Sequence, residues 1–204
     1  IDHVTKSIGS TPTQFWGLCG DHGVLVSATD GKSYYVSFAC FSEFPGVYRV
    51  DIALDQTGKN EAQQQLSNLK LIALGWNDND GHLSAVSKGA FRDWVFFNSE
   101  NKDDGYNGNV SGWTAYKQEI IAINVVTSEV RRLAHHRSRG LIDNSYWNQP
   151  RISCSWDGSV VLWDSNFNIN SPAGYADLYA IQSPLSPAGP PPGPIPAPQN
   201  LRFK

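Results

Sequence analysis

Apolar and polar positions alternate along most of this chain in short runs rich in β-branched and aromatic residues, bounded by Gly, Asp, Asn and Ser. A period of two over four to eight residues is the mark of strands that bury one face. Val24-Leu25-Val26-Ser27 leads through Asp30-Gly31 into Ser33–Phe38, and Arg151–Ser155 leads through Asp157-Gly158 into Ser159–Trp163. Between them His82–Val86 leads through Ser87-Lys88-Gly89 into Asp93–Phe97. Asp-Gly between alternating runs predicts a tight hairpin turn with positive φ at both central positions. Helical periodicity is nearly absent. Its single candidate, Asn60–Leu66, is short and polar and is expected to form no more than a loop turn.

The runs repeat. A third alternating segment follows each hairpin: Val47–Ile52, Gln118–Asn124 and Ala176–Ile181. A fourth, Leu69–Leu74 or Val130–Ala134, follows in the first two units only. The unit is a four-stranded antiparallel meander recurring about every 58–70 residues. Such a meander cannot bury both faces alone, and radial stacking of four-stranded sheets is a β-propeller. The expected fold is therefore all-β, with about three propeller blades in residues 1–182 forming part of a larger ring; a two-sheet sandwich is the runner-up. After Ile181 the chain turns to proline, which cannot donate to a central ladder. A strand completing the last blade would come from the opposite end, where Gln14–Leu18 is the one suitable piece, or from sequence upstream, which the reading favours. Residues 183–199 hold eight of the twelve prolines and predict an extended linker. Pro196–Phe203 looks like the opening strand of a fibronectin type III module, placing the start of such a module at 200–204.

Composition narrows the class. A hydrophobic fraction of 40% supports a packed core. No apolar run approaches the roughly 18–20 residues that span a bilayer. A net charge of -3 supplies no basic field, so a nucleic-acid partner is not expected. Ile1 opens a chain without methionine, which leads to the expectation of a processed or excised piece. Cys19, Cys40 and Cys154 are spaced for neither a zinc site nor a redox pair, and Cys154, within an alternating run, reads as a buried free thiol. Few lysines with many Trp, Asn, Ser and Gly resemble an exported bacterial protein, secreted, periplasmic or at the cell surface.

Candidate chemistry gathers between the second and third units. His135-His136-Arg137-Ser138 is followed by Tyr146-Trp147-Asn148-Gln149-Pro150-Arg151. Adjacent imidazoles and a later carboxamide can ligate a metal, or the histidines can simply hydrogen-bond the connecting backbone. The loops Asn77–Gly81 and Asp103–Asn109 offer oxygen donors for calcium, with Asp78, Asp80 and Asp103 as candidate ligands, or are plain polar turns. Trp94 and Trp163 occupy second strands and read as blade packing. Trp76, Trp113 and Trp147 fall in polar loops, where an indole can stack on a sugar ring or cap a blade. Nucleophile elbows and phosphate loops are missing from the sequence.

His135–Ile181 resembles the last blade of the TolB-like and oligogalacturonate lyase-like propellers. The parallels are a His ahead of the blade, QPRIS (149–153), SWDGSVVLWDSN (155–166) and ADLYAI (176–181). For the lyases the resemblance implies a manganese ion held at the propeller centre by histidines and a glutamine, with an Arg or Lys assisting β-elimination from uronate sugars. By position, His135 or His136 matches one ligand and Gln149 another, and Arg137 and Arg151 become the catalytic candidates. The family's further His-x-His is replaced by Trp147-Asn148-Gln149-Pro150. Two functions follow. The favoured one is a propeller module binding a polysaccharide or protein ligand, its ring closed by upstream blades or another chain. The alternative is a metal-dependent polysaccharide lyase or hydrolase using manganese or calcium, so enzymatic activity stays open.

Overall fold

The computed structural model describes residues 14–17, 22–39, 45–75, 81–100, 115–139, 148–169 and 175–185. Eleven strands form three antiparallel sheets in simple meander order. The first sheet is β1 (Gly23–Ser27), β2 (Ser33–Phe38), β3 (Gly46–Asp51) and β4 (Leu69–Ala73). The second is β5 (Gly81–Ala85), β6 (Trp94–Ser99), β7 (Glu119–Asn124) and β8 (Val130–His135). The third stops at three: β9 (Ser153–Cys154), β10 (Val160–Ser165) and β11 (Asp177–Gln182). The 4-4-3 count and the strand order are those of the sequence pattern. First strands β1, β5 and β9 lie side by side, so the sheets converge there and splay outward as propeller blades do. No closed ring forms among the described residues.

Two cores hold the arc together, and the middle sheet supplies both. Val95, Phe97, Ile121 and Ile123 face the first sheet's Val26, Tyr34, Val36, Phe38 and Val47. Phe96, Ile120 and Ala122, the alternate positions of the same strands, face Val161, Trp163 and Ile152 of the third sheet. Every residue of β6 and β7 is therefore buried, and each large aliphatic or aromatic side chain there contributes roughly 1.5–3 kcal/mol. Trp94 and Trp163 both belong to the second core. Leu185 is buried in that core too, and Ser183 N–H donates to Ser159 O at 2.8 Å. Ser183 and Leu185 thus pack with the third sheet. Residues 186–204, with the expected fibronectin-like start, lie outside the described residues.

The outer face of the first sheet corrects one expectation and shows where the N-terminal piece lies. Glu61–Ser67 is an α-helix (α1), because Asn60 and Gln63 form a reciprocal capping box: Gln63 N–H donates to Asn60 Oδ1 at 3.0 Å, and Asn60 N–H to Gln63 Oε1 at 2.9 Å. Its buried residue is Gln64, whose Oε1 accepts from Gly17 N–H at 2.9 Å, so no apolar stripe announces it. Gln14–Gly17 joins no blade as a strand. It lies on this same face, with Trp16 5.7 Å from the Tyr48 ring and Phe15 5.6 Å from Tyr35.

The hairpins are corrected as well. Gly31.and Gly158 hold positive φ (85° and 73°), but Asp30 and Asp157 do not. The loops are three and four residues long, each closed by an i to i+3 turn and an Asp carboxylate accepting the N–H two residues on (Lys32 and Ser159, both 3.0 Å). Three hydrogen bonds from Ser155 and Ser159 hold the Asp157 carboxyl down at about 2.

Candidate functional site at the connection end

Meander order sets two unlike ends. The hairpin end carries the loops between first and second strands and the turn Val125–Glu129; the connection end carries the links between sheets and the loops between second and third strands. At the hairpin end polar groups join the sheets. Thr29 donates through both its N–H (2.6 Å) and its hydroxyl to the Asp93 carboxylate of the second sheet. Arg49 lies over the Tyr34 ring and donates to Val125 O at 2.7 Å. Ser87 and Lys88 N–H both donate to Trp156 O at 3.0 Å. Gly158 sits so near Val86 that a Cβ there would lie 2.7 Å from Val86 Cγ2.

The connection end is built differently. The ring of His22, preceding β1, lies against that of His82 of β5, centroids 4.2 Å apart and planes tilted by 39°. His82 Nδ1 lies 2.9 Å from Glu100 Oε1, and Asn98 Nδ2 donates to that oxygen at 3.3 Å. A buried carboxylate on Nδ1 fixes the imidazole's tautomer and leaves Nε2 as a base or ligand. The close pairing of Gly81 with β6 sets His82 in place: a Cβ on Gly81 would lie 1.8 Å from Asn98 O.

Next to this pair a polar network joins the second and third sheets. His136 is fully buried; its Nε2 lies 2.9 Å from Ser99 O, and its Nδ1 accepts from Ser138 N–H at 3.1 Å. Burial, reinforced by Arg139 and His135 and opposed by the Ser99 bond, lowers its pKa to about 3. Arg139 Nη1 donates to Gln118 Oε1 and to Ser138 O, both at 2.8 Å. Asn166 and Arg139 exchange two backbone–side-chain bonds of 2.9 Å.

Two features set this end apart. Of the five buried side-chain polar atoms without a hydrogen-bond partner among the described residues, three lie here (Asn98 Oδ1, Gln118 Nε2 and Ser138 Oγ), with Gln56 Oε1 at the hairpin end and Trp163 Nε1 within β10; each costs about 1–3 kcal/mol. Of the six described non-glycine residues at positive φ, five lie here (Tyr116, Gln118, Arg137, Phe167 and Asn168), and only Ser128 lies at the other end.

The expected residues fall on this end in part. His135 is the exposed last residue of β8, while His136 has both ring nitrogens engaged by the protein, the hydrogen-bonding reading of that pair. As arranged, His136 does not fit a metal. No cluster of three or more His, Cys, Asp or Glu arranged to hold a metal occurs among the described residues. Arg137 lies over the Phe167 ring at 5.6 Å, and Arg151 faces Asp164 at 3.7 Å. Gln149 is half-buried in the turn before β9. Cys154 is partly buried, its Sγ accepting from Ser84 Oγ at 3.3 Å. Trp76, Trp113, Trp147, Asp78, Asp80 and Asp103 lie outside the described residues. Sequence reasoning missed His22, His82 and Glu100. The signal was there: Asp21-His22-Gly23 and Asp80-Gly81-His82 head the first strands of two successive units.

No protein-family model matches the sequence, and no curated protein is similar to it in sequence. In structure the chain is similar to TolB from Acinetobacter baumannii (14% identity, TM-score 0.41, 74% of this chain and 27% of that one). It is also similar to an oligogalacturonate lyase in complex with manganese (18%, 0.44, 81% and 35%). A third is the oligogalacturonate lyase of Vibrio parahaemolyticus (15%, 0.45, 81% and 36%). TolB and oligogalacturonate lyase are β-propeller proteins. The three sheets of this chain are propeller blades. Their order, convergence and shared cores make them so; the chain spans little more than a third of the matched structures at most. Among the described residues no helix is long and apolar enough to cross a membrane.

Proposed function

We propose that this chain is the ligand-binding propeller module of an exported bacterial multidomain protein, its ring completed by further blades, and that it binds a glycan at the connection end. The observation that carries the reading is the set of buried, unpartnered polar atoms at Asn98, Gln118 and Ser138 beside the His22–His82 pair. A sugar's hydroxyls both donate and accept, so a glycan that displaces the side chains covering these buried atoms satisfies an amide N–H and a carbonyl oxygen together with the His82 imidazole. Screening the whole chain on a glycan array, then titrating the best hit against His82→Ala and Gln118→Leu, tests it. Binding that weakens at least tenfold in both variants is expected; no glycan hit, or hits indifferent to both substitutions, defeats the reading.

A second reading, a metal-dependent polysaccharide lyase or hydrolase, draws support from the carboxylate-oriented His82. It would have to use His82, His22, His135 or Gln149 rather than His136. Turnover of a uronate polymer with added manganese, abolished by His82→Ala, is the outcome it requires.

A further inference from the structure

Among the described residues the third sheet has no fourth strand like those of the other two, and its outer edge carries a specific invitation. β11 is hydrogen-bonded to β10 alone among the described residues. An unpaired edge of six residues is a template for an added strand. The first two sheets show which strand belongs there. In both, the fourth strand bulges at one leucine: Leu71 drops out of register with β3, and Leu133 drops out with β7. In both, a basic residue precedes that leucine and pairs with the third residue of the neighbouring strand, Lys70 with Tyr48 and Arg132 with Ile121.

The basic side chain has a receptor each time. The Lys70 ammonium lies 5.3 Å over the Tyr48 ring, and Arg132 Nε donates to Glu119, the first residue of β7, at 2.6 Å. β11 holds both residue types at the matching positions: Asp177, whose exposed carboxylate also accepts from Tyr175 Oη, is its first residue, and Tyr179, whose ring packs on Trp163 and Phe167, its third. The position facing forward from the bulge is apolar too, for Leu71 is buried in the first core and Leu133 packs against the second. On β11 the forward-facing Leu178 is 66% exposed.

We infer that β11 binds an extended segment carrying a basic residue followed by leucine and a small or aliphatic residue, running antiparallel to β11 with the basic side chain against Tyr179 and Asp177. The partner strand enters at the hairpin end and leaves at the connection end. Backbone pairing supplies affinity, and the basic residue sets register, since a one-residue slip would turn it to the other face.

A synthetic peptide with the sequence of Glu129–His136, added to the whole chain and followed by amide exchange and NMR, tests this. Slowed exchange confined to Asp177–Gln182 is expected, with at least tenfold weaker binding when the peptide carries glutamate at the position of Arg132. Asp177→Lys should weaken the native peptide and restore the glutamate peptide, a rescue that simple misfolding cannot give. Protection at β4 or β8, equal binding of both peptides, or no protection at β11 would overturn the inference. Loss of glycan binding in the preceding section has no bearing on this result, because Asp177→Lys leaves His82 and Gln118 in place.

Discussion

The two ends of these sheets are made of similar residues put to opposite uses. At the hairpin end the polar groups that span a seam are satisfied there: Asp93 by Thr29, Val125 O by Arg49, Trp156 O by two N–H groups; the one buried orphan on that side is Gln56 Oε1, beyond β3, among the described residues. The chain stands close enough at Gly158 that only a glycine fits. At the connection end Asn98, Gln118 and Ser138 each keep a buried atom unpaired, and the backbone is forced into the left-handed region five times. One end spends its hydrogen bonds on holding blades together; the other keeps part of its capacity in reserve. A polar buried network is a stabiliser only when complete, and the difference between the ends is one of completeness.

The comparison breaks most visibly at Asp93. Its carboxylate accepts two bonds from Thr29 across a largely buried seam, and bonds to a charged acceptor contribute about 1.5–3 kcal/mol each. Asp93→Ala should therefore lower stability by about 3 kcal/mol, a fall of roughly 10 °C in Tm for a chain of this size. Calorimetry checks it. A loss below about 1 kcal/mol would mean that the hairpin end is held by packing alone and that the contrast between the ends has been overdrawn.

Acid sharpens the comparison from the other side. An unfolded histidine titrates near 6.5, whereas folded His136 titrates near about 3 because burial penalises its charged form. Between those values the unfolded chain binds the extra proton. The stability tied to a neutral His136 is thus whole above pH 6.5 and erodes as pH falls, by about 2 kcal/mol at pH 5. Asp157, Asp30 and Asp51, whose carboxyls are held below their ordinary 3.8, lose their contributions only under more acid conditions. Urea denaturation at pH 7 and pH 5 should separate the two windows, and His136→Gln should flatten the difference. An unchanged slope in that variant would place the acid-sensitive group elsewhere.

How much of this was legible in the sequence follows from the range of the interactions. Alternation showed the strands and their blade grouping because each strand's burial is written in its own neighbours: Val24, Val26, Val36 and Phe38 face one core with polar or exposed residues between. The helix at Glu61–Ser67 was not legible by the same test, since the residue it buries is a glutamine satisfied by Gly17 and Lys59. Turn type was misjudged because the Asp side chain closes its turn from ordinary backbone angles, leaving positive φ to the glycine alone. The adjacent His135 and His136 lie at the connection end, but adjacency on a strand end sends neighbours to opposite sides, one exposed and one buried. The repeated His22 and His82 at the heads of two first strands were visible, but their contact, with Glu100 against His82, is set only when β1 packs on β5.

The smallest expected effect is the most discriminating. Ser138 Oγ is buried and unpartnered while its N–H holds His136, so Ser138→Ala deletes an unsatisfied hydroxyl and keeps the bond that matters. Removing a desolvated polar atom with no partner should raise stability by roughly 1 kcal/mol, or about 2–4 °C in Tm, which is the reverse of what a hydroxyl-to-methyl change does at a satisfied site. The same variant should bind the best glycan more weakly if the reserve of unpaired groups at this end serves a ligand, giving a protein that is more stable and less active together. A gain in stability with binding unchanged would leave the orphan atoms without a use and detach them from the proposed site. A loss of stability would show the hydroxyl satisfied by a buried water, and the connection end would then be as complete as the hairpin end it is contrasted with.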